Sequence, residues 1–370
     1  MQVLMIGADL DKGGIGNVIM TLYRSLIKCG VKCDLTYYKG SKPNSNIINE
    51  LNDNGSTLYE IFGVKQAGLG YITQVYRICK KKKYDVIHIH TSILIWMAAI
   101  GAKLAGIQKR VGHAHGAKFL NYPESVLMFL EPMGRILNRI FCTDFVTCSQ
   151  ISARYTFGRE AKFIPNYVSP SEILSITKNE INKAYVEIVG DRKYDYIFVY
   201  AGCLDGVKNA IFLLDVICMM KKRGIKPLLL LIGKTIQKNV FKETVEKLGI
   251  EDNVQLLGYR MDCKCIVQFC DYYISASKTE GMSMAMIEAQ MSGIPCFASS
   301  LIPSDSNLRI NLFYQIDGFE ADHWSNEIQK MIDLKFRKIK REKAIELLKT
   351  TPFYESKAID ELMSVYKHKS

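Results

Sequence analysis

Short apolar runs recur along this chain without the polar alternation of a half-solvated strand, and each is followed by a helical stretch. "QVLMIGA" (2–8) comes first, then "KCDLTYY", "YDVIHIHT", "KRVGHAH", "DFVTCS" and "KFIPNYV". A strand that is apolar throughout is covered on both faces, the situation of a parallel sheet between layers of helices. The pattern restarts at "DYIFVYAG" (195–202) and continues through "KPLLLLIG", "NVQLLG", "YYISAS" and "IPCFAS". Two successive sets of βα units predict an α/β chain of two doubly wound, Rossmann-like parallel-sheet domains, with the crossing near 168–192. At 370 residues the chain has room for both.

The net charge of +12 is unevenly placed. Residues 1–170 hold 21 Lys and Arg against 11 Asp and Glu, a net of +10, and the remaining 200 hold 28 against 26. The densest run is "RICKKKK" (77–83). Such asymmetry points to an anionic partner: nucleic acid, a membrane surface or a phosphorylated substrate. A merely solvated basic face explains the lysine run equally well. No recognition module or aromatic stacking platform accompanies the charge, so nucleic acid is not an expected partner. No run reaches the roughly 18 apolar residues of a membrane span. The longest, "SILIWMAAIGA" (92–102), ends at Lys103 and reads as a buried helix. Eleven cysteines without a repeating frame, and no signal-peptide pattern in "MQVLMIGADLDKGG", predict a reduced, cytoplasmic protein. Cys263, Cys265 and Cys270 in "MDCKCIVQFC" lack both a shared helix face and a histidine at ligand spacing, so no metal site is expected there.

In sheets of this kind ligands bind beyond the C-terminal ends of the strands. The first such turn, "GADLDKGGIGN", places Gly13, Gly14 and Gly16 just before a helix, where bare backbone amides can approach an anion. It lacks the GxGxxG spacing, and Asp34 opens the second strand instead of closing it, so no NAD site is predicted. Asp9 and Asp11 suit loop solvation better than a metal. Two further strand ends carry His88 and His90, then His113 and His115, each pair on one face by strand alternation. Four histidines at neighbouring strand ends predict a polar site, and a GxSxG elbow that would make it a hydrolase is missing. In the second half, "AGCLDGVKNAIFLLDVI" sets Lys208 at the opening of a helix after a strand, a place suited to phosphate.

The most distinctive stretch is "SASKTEGMSMAMIEAQMSGIPCFASS" (275–300), which keeps two carboxylates in apolar surroundings. "YYISAS" is a strand, residues 278–281 a turn, and Ser283 the N-cap of a helix ending at Gly293. Glu280 then precedes the helix and Glu288 lies in its second turn. The amides of Gly281, Met282, Ser283 and Met284 lie between them. Acceptors at either end with donors in the middle match ribose hydroxyls, a diphosphate and sugar hydroxyls in sequence.

"EGMSMAMIE" resembles the E-x7-E motif of retaining glycosyltransferase family four, which has the GT-B fold. "GGIGNVIMTLYRSL", "YDVIHIHTS", "RVGHAHG", "DFVTCS", "FIPN", "AGCLDGVKN" and "LLGYRMD" follow the family's order and cover nearly the whole chain. The likeness is greatest to bacterial members that build capsules, exopolysaccharides and other cell-surface glycans. It implies two Rossmann-like domains facing each other across a cleft. Residues 1–168 would bind the acceptor, 169–352 the nucleotide sugar, and 353–370 would form a helix packing back on the first domain. By resemblance, Glu288 binds the ribose and Glu280 the donor sugar. Lys208 and the amides of Gly281 to Met284 hold the diphosphate, approached also by Gly14 and Gly16. Tyr259 and Arg260 meet the nucleobase, His115 lies near the reacting centre, and His113 is on the acceptor side. The implied reaction is metal-independent hexosyl transfer with retention and no cofactor, from a UDP-sugar to a glycan or polyprenyl diphosphate-linked acceptor.

Two departures from the family stand out. Cys203 occupies the place of a family arginine that, with the lysine, holds the leaving diphosphate, and a neutral thiol cannot oppose its charge. Lys234 and Thr235 follow Gly233 where the family has a second glycine. Either another cation such as Lys234 or Lys278 substitutes, or the chain is a weak or inactive nucleotide-sugar-binding partner of another transferase. On the basic half, "FLNYPESVLMFLEPMGRILNRIFC" (119–142) mixes large apolar residues with Arg135 and Arg139. This segment would either rest on an anionic membrane surface or pack between domains.

Overall fold

The computed structural model describes residues 1–7, 9–10, 13–116 and 124–368; Asp11 and residues 119–123, singled out above, lie outside them. The chain divides into two compact units, Met1–Tyr167 with Glu355–Ser370, and Val168–Tyr354.

The first unit is built on β1 (Gln2–Ile6), β2 (Lys32–Tyr38), β3 (Leu58–Ile61), β4 (Val86–Ile89), β5 (Lys109–Ala114), β6 (Asp144–Thr147) and β7 (Lys162–Phe163). Among the described residues they form one parallel sheet in the order β3-β2-β1-β4-β5-β6-β7. The second unit contains β8 (Tyr196–Ala201), β9 (Pro227–Ile232), β10 (Val254–Gly258), β11 (Tyr272–Ser275), β12 (Cys296–Ser299) and β13 (Phe313–Ile316). Its parallel order is β10-β9-β8-β11-β12-β13. Both orders are doubly wound: the chain leaves the first strand in one direction and returns to its other side. The switch points, β1/β4 and β8/β11, open crevices at the strands' C-terminal ends.

The central strands are apolar because helices cover both faces; every residue of "PLLLLI" in β9 is buried. β3 and β13 are edge strands that the sequence reading passed over. Their residues are mostly half-exposed, so neither shows the continuous apolar run of a central strand.

The helix Glu355–Lys367 belongs to the first unit, burying Ala358, Ile359, Leu362 and Tyr366. Ser25 Oγ donates to Glu355 (2.9 Å), Lys162 pairs with Glu361 (2.6 Å), and Lys109 Nζ donates to the His368 carbonyl (2.7 Å). A second helix, Glu124–Phe141, is pinned along one side. There the Asn138 amide donates to the Ile93 and Thr156 carbonyls and accepts from Trp96 N–H. One turn before it, a Cβ on Gly134 would lie 2.7 Å from the Ile93 carbonyl oxygen. The opposite side carries Phe129, Met133, Ile136 and Ile140, all exposed.

Candidate functional site

At the C-terminal ends of β8, β9 and β10, three glycines lie side by side. Gly202 N–H donates to the Ile232 carbonyl (2.9 Å) and Gly233 N–H to the Gly258 carbonyl (2.8 Å). With φ of +142° and a Cβ that would stand 1.7 Å from the Gly202 oxygen, position 233 admits only glycine. The strand ends are therefore bare backbone.

The loops above them are tied together. Asp205 accepts from Thr235 Oγ1 (2.5 Å) and Ile236 N–H (3.0 Å), and Lys278 N–H donates to the Val207 carbonyl (2.7 Å). That last bond joins the loop after β11 to the 3-10 turn Gly206–Lys208. It brings Lys208 Nζ to 2.5 Å from Glu280 Oε1, which also accepts from Ser277 Oγ (3.1 Å). The pair sits at the β8/β11 switch point, with side chains 25% and 11% exposed. Both contacts fall on one carboxylate oxygen, leaving the other uncommitted among the described residues.

The helix Met284–Met291 starts beyond this pair, with Ser283 at the N-cap position in extended geometry. Its hydroxyl makes no capping bond, contrary to what a serine there usually does, so among the described residues the N-cap side chain leaves the helix's first amides unclaimed. Glu288, on this helix, is 18% exposed and faces Lys264 Nζ at 3.5 Å. Burial pushes its pKa up, and Lys264 only partly offsets this. Lys264 also pairs with Glu172 (2.6 Å). Burial disfavours the lysine's charge, but the two carboxylates outweigh it and raise its pKa. Lys264 was missed in the sequence because it sits between Cys263 and Cys265, where the cysteines drew the attention. None of the eleven cysteines forms a disulfide.

Arg260 is spent on carboxylates: it grips Asp262 through Nε and Nη2 (2.8 and 2.7 Å) and Glu187 through Nη1 (2.7 Å). Tyr259 beside it is 69% exposed, with Lys234 Nζ 5.9 Å from its ring centre. With Arg260 committed, what this loop leaves exposed is the tyrosine ring. Cys203 is exposed, and its carbonyl accepts from Tyr200 (2.9 Å).

In the first unit, Gly7 ends β1 where a Cβ would meet His90 Cβ at 2.9 Å, and a Cβ on Gly16 would stand 2.0 Å from the Asp9 carbonyl oxygen. Gly16 thus has a packing reason to be glycine, while a Cβ on Gly14 would meet nothing within 4 Å among the described residues. The four histidines form one stacked group. His88 Nε2 lies 3.1 Å from His113 Nδ1, and His90 Nδ1 lies 2.7 Å from His115 Nε2. All four are buried. Burial drives His88 and His115 down to about 3 and His90 and His113 well below the ordinary value, so the rings are neutral at pH 7. They can donate or accept hydrogen bonds but carry no charge to a phosphate.

Two family models match the chain: Glycosyltransferase Family 4 over residues 12–172 and Glycosyl transferases group 1 over residues 182–349. The UDP-Gal:alpha-D-GlcNAc-diphosphoundecaprenol alpha-1,3-galactosyltransferase of Escherichia coli is 25% identical over 71% of this chain and 70% of its own length. The capsular polysaccharide biosynthesis glycosyltransferase CapH of Staphylococcus aureus is 24% identical over 80% of each chain. The crystal structure of Anabaena Alr3699/HepE in complex with UDP superposes with a TM-score of 0.78 at 16% identity, over 98% of this chain and 99% of that one. With a family 4 first half, a group 1 second half and two doubly wound sheets, the chain belongs to the GT-B glycosyltransferases.

Proposed function

We propose that this chain is a retaining, metal-independent glycosyltransferase that moves a hexosyl group from a UDP-sugar to a glycan or polyprenyl diphosphate-linked acceptor in cell-surface polysaccharide synthesis. The observation that carries the reading is the Lys208–Glu280 pair at the β8/β11 switch point. It puts a cation for phosphate and a carboxylate for sugar hydroxyls in one place. Glu288 takes the ribose, Tyr259 the base, and the amides of Gly281 to Met284 the diphosphate. The substrates that the name of the Escherichia coli relative states support the choice of UDP and of a lipid-linked acceptor.

In this scheme the bond between the anomeric carbon and the β-phosphate oxygen breaks, its electron pair staying on UDP. The acceptor hydroxyl attacks the same face and its proton passes to that phosphate oxygen. Catalysis then rests on fixed charge and dipoles facing the departing diphosphate, a task for lysine and helix amides. His115 and His113, neutral, would orient hydroxyls. Release of UDP from a panel of UDP- and GDP-sugars, given a polyprenyl diphosphate glycan, tests the reading; no turnover and no calorimetric binding with any donor would sink it.

The second reading, a slow or silent nucleotide-sugar binder, rests on Cys203. Its exposed side chain leaves room for a longer one. Cys203→Arg is expected to raise kcat by roughly ten-fold or more, since one charged contact to a developing phosphate is worth 10²–10³ at most. An unchanged kcat would mean that Lys234 or Lys278 already fills the role.

We also place the chain on the cytoplasmic face of the membrane. No helix among the described residues is long and apolar enough to cross a bilayer. The exposed side of the helix Glu124–Phe141 is apolar over three turns, Phe129 being 73% exposed, and it is flanked by the exposed Arg139. Such a face suits an anionic lipid surface. Phe129→Glu with Ile136→Glu should weaken binding to anionic vesicles at least about ten-fold. Vesicle sedimentation unchanged by the pair would remove the membrane from the proposal.

A further inference from the structure

The histidine group is contacted by one polar side chain that the transfer scheme does not use. Tyr366, in the last turn of the helix Glu355–Lys367, is 5% exposed, and its hydroxyl lies 2.7 Å from His88 Nδ1. His88 is the hydroxyl's single hydrogen-bond partner among the described residues.

The direction of that bond follows from satisfaction. If Tyr366 accepted, its own O–H would be buried without an acceptor, which costs as much as a hydrogen bond left unmade. If it donates, the hydroxyl is satisfied, and the one atom of Tyr366, His88 and His113 left without a partner among the described residues is His113 Nε2, which lacks one in either direction. Burial also holds the phenol well above its ordinary pKa, so the proton stays on it. A neutral imidazole that accepts at Nδ1 carries its proton on Nε2. For His88 that nitrogen lies 3.1 Å from His113 Nδ1, and the proton is donated there. His113 must then hold its own proton on Nε2. This Nε2 is buried and has no hydrogen-bond partner among the described residues. The His113 side chain lines a small pocket with Thr21 and Tyr167 in the same unit.

We infer that Tyr366 is a positioning residue that, through His88, locks His113 as the Nε2–H tautomer and so fixes a hydrogen-bond donor on the wall of that pocket. The polarity of the chain stands on the hydrogen bonds alone; the use of the donor on a substrate rests on the proposed transfer. His88, His90 and His113 also each bring a nitrogen within 4.8 Å of the others, the grouping of a metal site. A metal would need the ring positions that the Tyr366 and His88 protons occupy, so the two states exclude each other.

The test is a long-range ¹H–¹⁵N spectrum of the full chain labelled at histidine, with His88 and His113 assigned from His88→Gln and His113→Gln. The unaltered protein should show the proton on Nε2 of both rings. Tyr366→Phe, which keeps the packed ring and removes the O–H, should turn both into tautomer mixtures. The same variant should lower kcat about ten-fold, the worth of one oriented hydrogen bond, with UDP affinity unchanged. Thermal unfolding run alongside checks that the variant is folded. A proton on His113 Nδ1 in the unaltered protein overturns the inference, as does a tautomer pattern that ignores Tyr366→Phe. So does one equivalent of Zn²⁺ binding with loss of the imidazole N–H signals. Shifted tautomers with kcat unchanged overturn the positioning role. Lack of turnover in the unaltered protein counts instead against the proposed transfer, while the spectra still decide the tautomer.

Discussion

Lys208→Ala is expected to lower kcat by about 10²–10³, because in the proposed scheme the lysine faces the leaving diphosphate. The arrangement predicts a particular split between rate and stability. Lys208 pairs with Glu280 at 2.5 Å, but the two side chains are 25% and 11% exposed. Breaking a fully buried pair costs several kcal/mol, an exposed one almost nothing, and this pair lies between them, at about 1 kcal/mol. Glu280 keeps the Ser277 hydroxyl in the variant, which moderates the loss. The melting temperature of the second unit should fall only about 2–4 °C. Combining Lys208→Ala with Glu280→Gln should return most of that stability and none of the rate. A variant that melts lower yet keeps its turnover would show Lys208 to be a structural partner of Glu280, and the donor-site reading would go with it.

How much of this was legible beforehand depends on the kind of physics involved. Central strands announce themselves, because burial on both faces demands an unbroken apolar run. β3 and β13, half-exposed at their edges, make no such demand and were not expected. Lys208, Glu280 and Glu288 were singled out through motif spacing at strand ends, where the doubly wound topology leaves loops for ligands. Their partners were not, because they come from distant segments. Lys264 and Glu172, both now near Glu288, are separated by 92 positions, and no local pattern couples them. Arg260 illustrates the converse. Its place in the loop was legible, but its commitment to Glu187 and Asp262 depends on a helix 73 residues earlier. The histidines were paired correctly by strand alternation. Their burial and mutual hydrogen bonding arise only when β4 and β5 lie in register, His88 beside Val111. Tyr366 joins them from the far end of the chain, 278 residues away.

Glu288→Gln should make the protein more stable and a poorer nucleotide binder. Burial raises the carboxyl's pKa even though Lys264 pulls the other way, so the charged form is disfavoured in the folded state overall. For an acid shifted upward the sign is as follows. Below the ordinary value of 4.5 the group is protonated folded or unfolded, and it costs nothing. As pH rises beyond that, the unfolded chain ionises first and gains stability relative to the fold. The penalty is complete above the folded pKa. A neutral glutamine removes it, and Lys264 is not stranded because Glu172 remains 2.6 Å away. The variant should therefore melt above the unaltered protein at pH 8 and show no advantage at pH 4. UDP should meanwhile bind roughly 10–100-fold more weakly, since charge-assisted bonds to ribose hydroxyls are lost. A destabilising carboxylate with no effect on the nucleotide would leave Glu288 without a function. Scanning calorimetry across that pH range, with and without UDP, separates the outcomes: UDP should raise the melting point of the unaltered protein more than that of Glu288→Gln, and an equal rise in both would remove Glu288 from the donor site.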